Sequence, residues 1–278
     1  MSRWSFIQKH FIPEEKAAVS VFDLAVQRGY GVFDFFRLLD NQPLYLEEHL
    51  DRFFNSASYM RLEVGYTKKE LAEVINELVQ RNQLPDSGIR LTLTGGSSPD
   101  GMRITAPALI ITQTVFSAPS NESITDGIRL MTFEHQRQLP HVKTIDYIMP
   151  IWLQPLIELH RVDDVLYCHN GAVTECPRSN FFIVTNDNKV VTAGDHILKG
   201  ITRAKVIALA KQHFEVEERT LLIREVLEAK EAFITSTTKR ILPVRSIDKK
   251  EFPLNNDAVS LRLLQSLEAH SHRHNHIP

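Results

Sequence analysis

Between Thr174 and Phe182 the chain carries a single carboxylate, Glu175, at the foot of an apolar strand, and further on comes Gly200-Ile201-Thr202, a glycine ahead of a helix start. Backbone N–H groups in the first turn of a helix form an anion seat, and Thr202 adds a hydroxyl. Upstream, Lys143 stands just before another helix-like run. A carboxylate, a phosphate seat and a lysine are the groups a protein needs to hold and use pyridoxal 5′-phosphate (PLP).

Each group has a defined task in that chemistry. Glu175 would bond the pyridine nitrogen and keep it protonated, which makes the ring an electron sink. Lys143 would hold the cofactor covalently at rest. Released by the substrate amine, it would act as base and acid at the substrate α-carbon and at the cofactor C4′, since a lysine loses its proton readily when desolvated. Ser236-Thr237-Thr238, at the end of an apolar strand, offers further N–H and O–H donors, and Arg52 offers a bidentate fork. Singly, each also has an ordinary reading: a strand-end carboxylate, a solvated lysine, a helix cap at Thr202, a surface arginine. A phosphate needs several such donors to converge.

The elements that must position these groups can be read from periodicity. Gly31 to Leu39, a turn at Asn41-Gln42 and Leu44-Tyr45-Leu46 read as a hairpin. Glu47 to Leu62 reads as a helix with Leu50, Phe53, Phe54 and Ala57 on one face. Thr67-Lys68-Lys69-Glu70 is a capping box opening a second helix, with Leu71, Val74, Ile75 and Leu78 inward. Ile89 to Thr94 alternates, placing Arg90, Thr92 and Thr94 on one face. A loop at Gly95 to Gly101 and a strand at Ala108 to Thr114 follow.

Ser117 to Glu122 is small, polar and proline-containing, and marks a boundary. The expected division is a domain over residues 1–116, a linker over 117–124 and a second domain over 125–278. In the second, a strand is expected near Ile128 to Phe133. Asn170-Gly171 joins Asp164–Cys168 to Ala172–Glu175 as a tight hairpin, and Phe181–Val184 pairs with Val190–Thr192 as another. Thr202 to Phe214 and Asp257 to Ala269 read as helices, with a short strand at Ala232 to Thr235 between them. Pro155 should kink the helical run after Tyr147. The His-rich tail from His270 to His276 reads as a disordered polar terminus rather than a metal site.

Composition narrows the class. With 278 residues, 43% hydrophobic and 24% charged, the chain can bury a sizeable core. A formal net charge of −2 gives no reason to expect a nucleic-acid or membrane partner. Cys168 and Cys176 form no metal-ligand spacing or disulfide framework, and no signal peptide or membrane span is evident, so a cytoplasmic protein is expected.

Six blocks in order resemble the class IV PLP aminotransferases, the family of branched-chain and D-amino acid aminotransferases and aminodeoxychorismate lyases. They are Arg28-Gly29-Tyr30-Gly31-Val32-Phe33-Asp34; Leu46 to Arg52; Lys143-Thr144-Ile145-Asp146-Tyr147; Thr174-Glu175 with Ser179-Asn180-Phe181-Phe182; Leu198 to Arg203; and Ser236-Thr237-Thr238 with Pro243-Val244. The resemblance implies a two-domain α/β (α+β) fold of type IV. A small N-terminal α/β domain joins a larger domain with a barrel-like sheet, and the cofactor lies between them. It makes Lys143 the Schiff-base lysine and Glu175 the partner of the ring nitrogen. Arg52, Ile201, Thr202 and Thr237 become phosphate ligands, and Tyr147 stands against the phenolic oxygen. Tyr30, Arg90 and Thr238 fall on the substrate side. It further implies a homodimer, with the loop from Gly95 to Met102 closing over the neighbour's site.

Departures from the family pattern fall outside the cofactor residues. Cys176-Pro177-Arg178 follows the glutamate, Asp146 stands where asparagine is common, and Lys199 precedes Gly200. The expected activity is transfer of an amino group between an amino acid and a 2-keto acid in a ping-pong cycle. The alternative is elimination of pyruvate from aminodeoxychorismate, or a non-catalytic relative. Lyases of the family tend to carry a small hydroxyl residue where this chain has Asp34-Phe35-Phe36, which favours transamination.

Overall fold

The computed structural model describes residues 3–116 and 119–275. They fall into two compact units, the first gathering residues 3–116, 142–146 and 274–275, the second 119–141 and 147–273.

The first unit is built on β1 (Trp4–Ile7), β2 (His10–Pro13), α1 (Leu24–Arg28), β3 (Gly31–Leu39), β4 (Gln42–Pro43), α2 (Leu46–Tyr59), α3 (Lys68–Asn82), β5 (Ser87–Thr94) and β6 (Ala108–Val115). The strands form a six-stranded antiparallel sheet in the order β2-β1-β6-β5-β3-β4. Alternation decides which face is covered. Ile89, Leu91 and Leu93 of β5 and Val32, Phe36 and Leu38 of β3 are buried in one cluster with Leu50, Phe53 and Ala57 of α2 and Leu71, Ile75 and Leu78 of α3. The capping box opens α3 as expected: Glu70 N donates to Thr67 Oγ1 (3.2 Å) and Thr67 N to Glu70 Oε2 (2.7 Å).

The first hairpin differs from the expectation. Its turn is Asp40-Asn41, both with positive φ (50° and 64°), and β4 ends at Pro43. Leu44-Tyr45-Leu46 is not a strand: Leu44 N still donates to Arg37 O (2.9 Å), but Tyr45 turns to a positive φ of 56° and Leu46 already begins α2.

The second unit contains α4 (Asn121–Asp126), β7 (Ile128–Glu134), α5 (Ile148–Trp152), α6 (Gln154–His160), β8 (Asp164–His169), β9 (Ala172–Val173), β10 (Glu175–Cys176), β11 (Ser179–Val184), β12 (Val190–Ala193), α7 (Ile201–Ala210), β13 (Val216–Arg219), β14 (Leu221–Leu222), α8 (Ile223–Glu228), β15 (Glu231–Ser236), β16 (Arg240–Ile247), β17 (Lys250–Glu251) and α9 (Val259–Asn275). Its strands run β13-β12-β11-β15-β16-β7-β8-β9-β14, with β10 paired to β11 and β17 to β16. The sheet curls until β14 passes close to β12, giving a nearly closed barrel. Its interior holds Leu166, Phe181, Ile183, Ile234, Leu242 and Val244 among others. A second cluster packs α7 and α9 against Phe182 and Phe233, whose rings stack at 4.9 Å.

Both expected hairpins form, although the second strand of the first is only Ala172–Val173 and Glu175 pairs instead with β11; Asn170-Gly171 turns with φ of 51° and 74°, the left-handed geometry that favours Asn-Gly there. Pro155 divides rather than bends its helix: α5 stops at Trp152, and α6 restarts with Pro155 in its first turn, where no N–H is needed. Ser120 caps α4 inside the stretch read as a linker, of which Ser117 and Ala118 lie outside the described residues. The C-terminal tail corrects the sequence reading, since α9 starts at Val259 and runs through His270 to Asn275. Nothing between Ala269 and Asn275 breaks a helix, so it propagates. His276 lies outside the described residues.

Candidate functional site

In the first unit the site is assembled along β3. The segment 142–146 adds to the free edge of this strand: Phe33 N donates to Lys143 O (2.9 Å), Ile145 N to Gly31 O (3.1 Å), and Thr144 bridges Val32. Gly31 is required at this contact, because a Cβ there would stand 2.8 Å from Leu93 O. Lys143 N also donates to Ser56 Oγ on α2 (3.2 Å). These bonds place the half-buried lysine with its Nζ 4.5 Å from the centre of the Phe33 ring. The guanidinium of Arg90 lies 3.9 Å from the same ring centre, with its Nε donating to Thr92 Oγ1 (3.3 Å). One aromatic ring thus gathers the expected catalytic lysine and the expected substrate-side arginine.

Behind them, on the helix-facing side of β3, Asp34 has a fully buried side chain. Arg52 donates to it twice, Nε to Oδ2 and Nη2 to Oδ1, each at 2.8 Å. His49 Nδ1 stands 2.7 Å from Oδ1, and Phe35 N donates to the same oxygen at 2.7 Å. His49, Arg52 and Ser56 share one face of α2 at spacings of three and four residues. Burial would raise the Asp34 carboxyl, but the Arg52 charge and hydrogen bonds, helped by His49, outweigh it and hold the group well below the usual carboxylate range. Burial pushes His49 down, against the pull of Asp34. Asp34 therefore stays ionised and fixes the plane of the Arg52 guanidinium.

This arrangement has a pH consequence. A neutral buried histidine must take up a proton on unfolding at acid pH, so the unfolded state binds more protons and stability falls as pH drops below about 6.5. The depressed Asp34 adds a further loss below about pH 4. Relative to wild type, His49→Asn should flatten the upper part of this slope, by up to about 1.4 kcal/mol per pH unit. Urea titrations of both proteins between pH 7 and 5 check it, and parallel slopes would show that His49 is not held neutral.

In the second unit the centre is Glu175 of β10, which is 4% exposed. Its Oε1 accepts from Arg137 Nη1 (3.0 Å), and its Oε2 accepts from Asn180 Nδ2 (3.2 Å) and Leu198 N (3.0 Å). A buried carboxylate gripped by a guanidinium, a side-chain amide and a backbone N–H is a fixed hydrogen-bond acceptor. Two residues beyond Leu198, Gly200 is the N-cap of α7 and no side chain caps this helix. The amides of Ile201 and Thr202 occupy its first turn, where N–H groups lack partners within the helix. Thr202 is therefore not the cap that its residue type alone suggested.

Thr237 and Thr238 lie half-buried in the turn between β15 and β16, where Lys239 N donates to Ser236 Oγ (3.0 Å). Next to them Thr235 pairs across the sheet with Asn180, and its Oγ1 is buried without a hydrogen-bond partner. An orphaned hydroxyl marks a corner that a polar ligand completes. The second unit's donor set suits PLP: a fixed carboxylate for a ring N–H, and an uncapped helix start and hydroxyls for a phosphate.

The remaining predicted residues are placed as follows. Tyr147 is half-buried and immediately precedes α5. Tyr30 donates its hydroxyl to Met60 O (2.6 Å), so this hydroxyl is already engaged by the backbone. Arg178 is exposed, as is Asp146. Asp34, His49, Arg137 and Asn180 are site residues to which the sequence reading gave no role.

The description "Amino-transferase class IV" belongs to the family model that matches residues 31–247 of this chain. The chain is a class IV aminotransferase by family. A Methanocaldococcus jannaschii protein, provisionally named a branched-chain-amino-acid aminotransferase, is 34% identical over 91% of the chain and 90% of its own length. The D-alanine aminotransferase of Bacillus licheniformis is 30% identical over 84% of each. Among solved structures, a T.th. branched-chain amino acid aminotransferase with pyridoxamine 5′-phosphate superposes with a TM-score of 0.88 at 26% identity. That match covers 98% of this chain and 95% of the other. Class IV membership accounts for the fold-type-IV barrel and for the order of the motif blocks along the chain.

Proposed function

We propose that this class IV enzyme is a PLP-dependent aminotransferase that moves an amino group between an amino acid and a 2-keto acid in a ping-pong cycle. The observation that carries the reading is the buried Glu175 carboxylate, fixed by Arg137, Asn180 and the Leu198 amide. When bound, PLP supplies the electron-withdrawing ring that makes the substrate α-hydrogen acidic. Glu175 holds a proton on the ring nitrogen. Arg52, the Ile201 and Thr202 amides, the Thr202 hydroxyl and Thr237 bind the phosphate, and Tyr147 meets the phenolic oxygen. Lys143 anchors the cofactor and then moves a proton from the substrate α-carbon. Arg90, held at the same ring as Lys143, binds a substrate carboxylate, and Tyr30 and Thr238 serve the substrate side.

Stepwise addition of amino acids to the yellow protein tests this. Bleaching of the visible band with release of the matching keto acid is expected. Release of pyruvate from aminodeoxychorismate with no keto-acid acceptor would instead establish the lyase.

The assembly we propose is a homodimer. Ile148, Ile151, Trp152 and Leu159 on α5 and α6 are each at least 66% exposed, and Val21, Phe22, Val26 and Met102 expose a second apolar set. Single exposed apolar residues are ordinary, but clusters of this kind mark interaction surfaces. The loop from Gly95 to Met102 is expected to close over the neighbour's site. Trp152→Glu should shift the protein from dimer to monomer in sedimentation, whereas a wild-type monomer with full activity would rule the dimer out.

The cytoplasmic placement rests on two free buried thiols, with burial pushing Cys168 up to about 12 and Cys176 well above its ordinary value. Among the described residues no helix is long and apolar enough to cross a membrane.

A further inference from the structure

Both ends of the second unit's ligand corner hang on one side chain. Asn180 lies opposite Glu175 in the β10–β11 register and is 6% exposed. Its Nδ2 donates to Glu175 Oε2 (3.2 Å) and to Leu198 O (2.7 Å), while Leu198 N donates back to the same carboxylate oxygen (3.0 Å). The peptide groups of Leu198 are thereby gripped from both sides. The amide oxygen of Asn180 faces Gly200: a Cβ on that residue would sit well inside 3.0 Å of Oδ1. Gly200 has φ −69° and ψ 141°, a conformation any residue adopts, so the backbone does not demand glycine here. Asn180 does.

We propose that Asn180 is a positioning residue that holds the Glu175 carboxylate and the amino end of α7 in fixed register, so that a single rigid cofactor meets its ring-nitrogen acceptor and its phosphate seat together. This rests on the PLP reading above. The reasoning is geometric. The distance from ring nitrogen to phosphate is set by covalent bonds, so the protein must match it, and a misplacement of about 1 Å forfeits much of the gain from preorganisation. Asn180 touches Glu175, the 198 peptide and the cap position of α7 at once. Losing its amide removes one of the bonds to Glu175 Oε2 and leaves the part-buried Leu198 carbonyl without this donor. An added methyl at position 200 reaches the same end by pushing the amide aside.

The test is a double-mutant cycle with cofactor affinity as its readout. Asn180→Ala and Gly200→Ala should each raise the Kd for added PLP by at least about 10-fold, measured by equilibrium dialysis. The double variant should be no worse than either single one, because the shortened side chain at position 180 leaves room for the new methyl. The visible band of either single variant, followed against pH, should show the ring nitrogen losing its proton at lower pH than in wild type, since Glu175 is no longer held against it.

A merely structural role would lower the unfolding midpoint but leave the folded fraction with wild-type affinity and spectrum, and that result overturns the proposal. Additive losses in the cycle overturn it as well. If Asn180→Ala fails to fold, Gly200→Ala and Asn180→Asp, which keeps the shape but turns the donor into an acceptor, carry the same prediction. A wild-type protein that takes up no PLP sinks the proposed function and this inference together. Wild-type binding with unchanged variants sinks this inference alone.

Discussion

Replacing Lys143 with alanine is expected to lower the rate of amino transfer by at least about 10³-fold, the scale of losing a positioned acid–base group that also anchors the cofactor. The fold should survive. The lysine joins β3 and α2 through its backbone, with Phe33 N bonded to Lys143 O and Lys143 N bonded to Ser56 Oγ, and alanine keeps both bonds. Lys143→Arg should do no better than alanine, because a guanidinium keeps its proton and cannot take one from carbon. Single-turnover measurements of bleaching on mixing with an amino acid, alongside a thermal midpoint close to that of wild type, check the prediction. Retained turnover would remove Lys143 from the mechanism.

The second large effect is on stability. Asp34→Ala leaves the Arg52 guanidinium, whose side chain is 13% exposed, without either of its carboxylate bonds. It also removes the partner of buried His49. Breaking a buried pair by deleting one member typically costs about 3–5 kcal/mol, because the remaining charge is stranded in a poor solvent. An exposed pair on the same unit offers the contrast: Glu77→Ala, which removes the i,i+4 partner of Arg81 on α3, should cost only about 0.5 kcal/mol or less. Urea denaturation of both variants measures the difference. If Asp34→Ala were as mild as Glu77→Ala, the Asp34–His49–Arg52 cluster would not be the anchor described here. The same variant should weaken PLP binding, because the plane of Arg52 is no longer fixed.

The parts legible in the sequence were those encoded locally. The capping box at Thr67 and Glu70, the Asn170-Gly171 turn and the alternation through Ile89, Leu91 and Leu93 each rest on contacts only a few residues apart, and all formed as read. The reading of Lys143 and Glu175 together rests on the order of motif blocks, since neither stands out from an ordinary lysine or carboxylate alone. What stayed hidden depends on contacts distant in sequence. Arg137 reaches Glu175 across 38 positions and Asn82 binds the Trp4 backbone across 78, distances that no period of 2 or 3.6 encodes.

Asp34 was within reach. It shares the buried parity of β3 with Val32, Phe36 and Leu38, and a carboxylate on a buried strand face must have a partner. His49 and Arg52, one turn apart on the next helix, were the available candidates. Asn180 gave a weaker signal, because β11 is buried on both faces and the residue's partners lie at positions 175, 198 and 200. Gly200 was read as part of a phosphate seat, whereas the clash that demands glycine there comes from Asn180.

Borohydride reduction of the PLP-loaded protein, followed by proteolysis and mass mapping, tests the central claim most directly. The account predicts one phosphopyridoxyl group per chain, on the peptide containing Lys143 and on no other. A label on a different lysine, or no label on a protein that is visibly loaded, would contradict it.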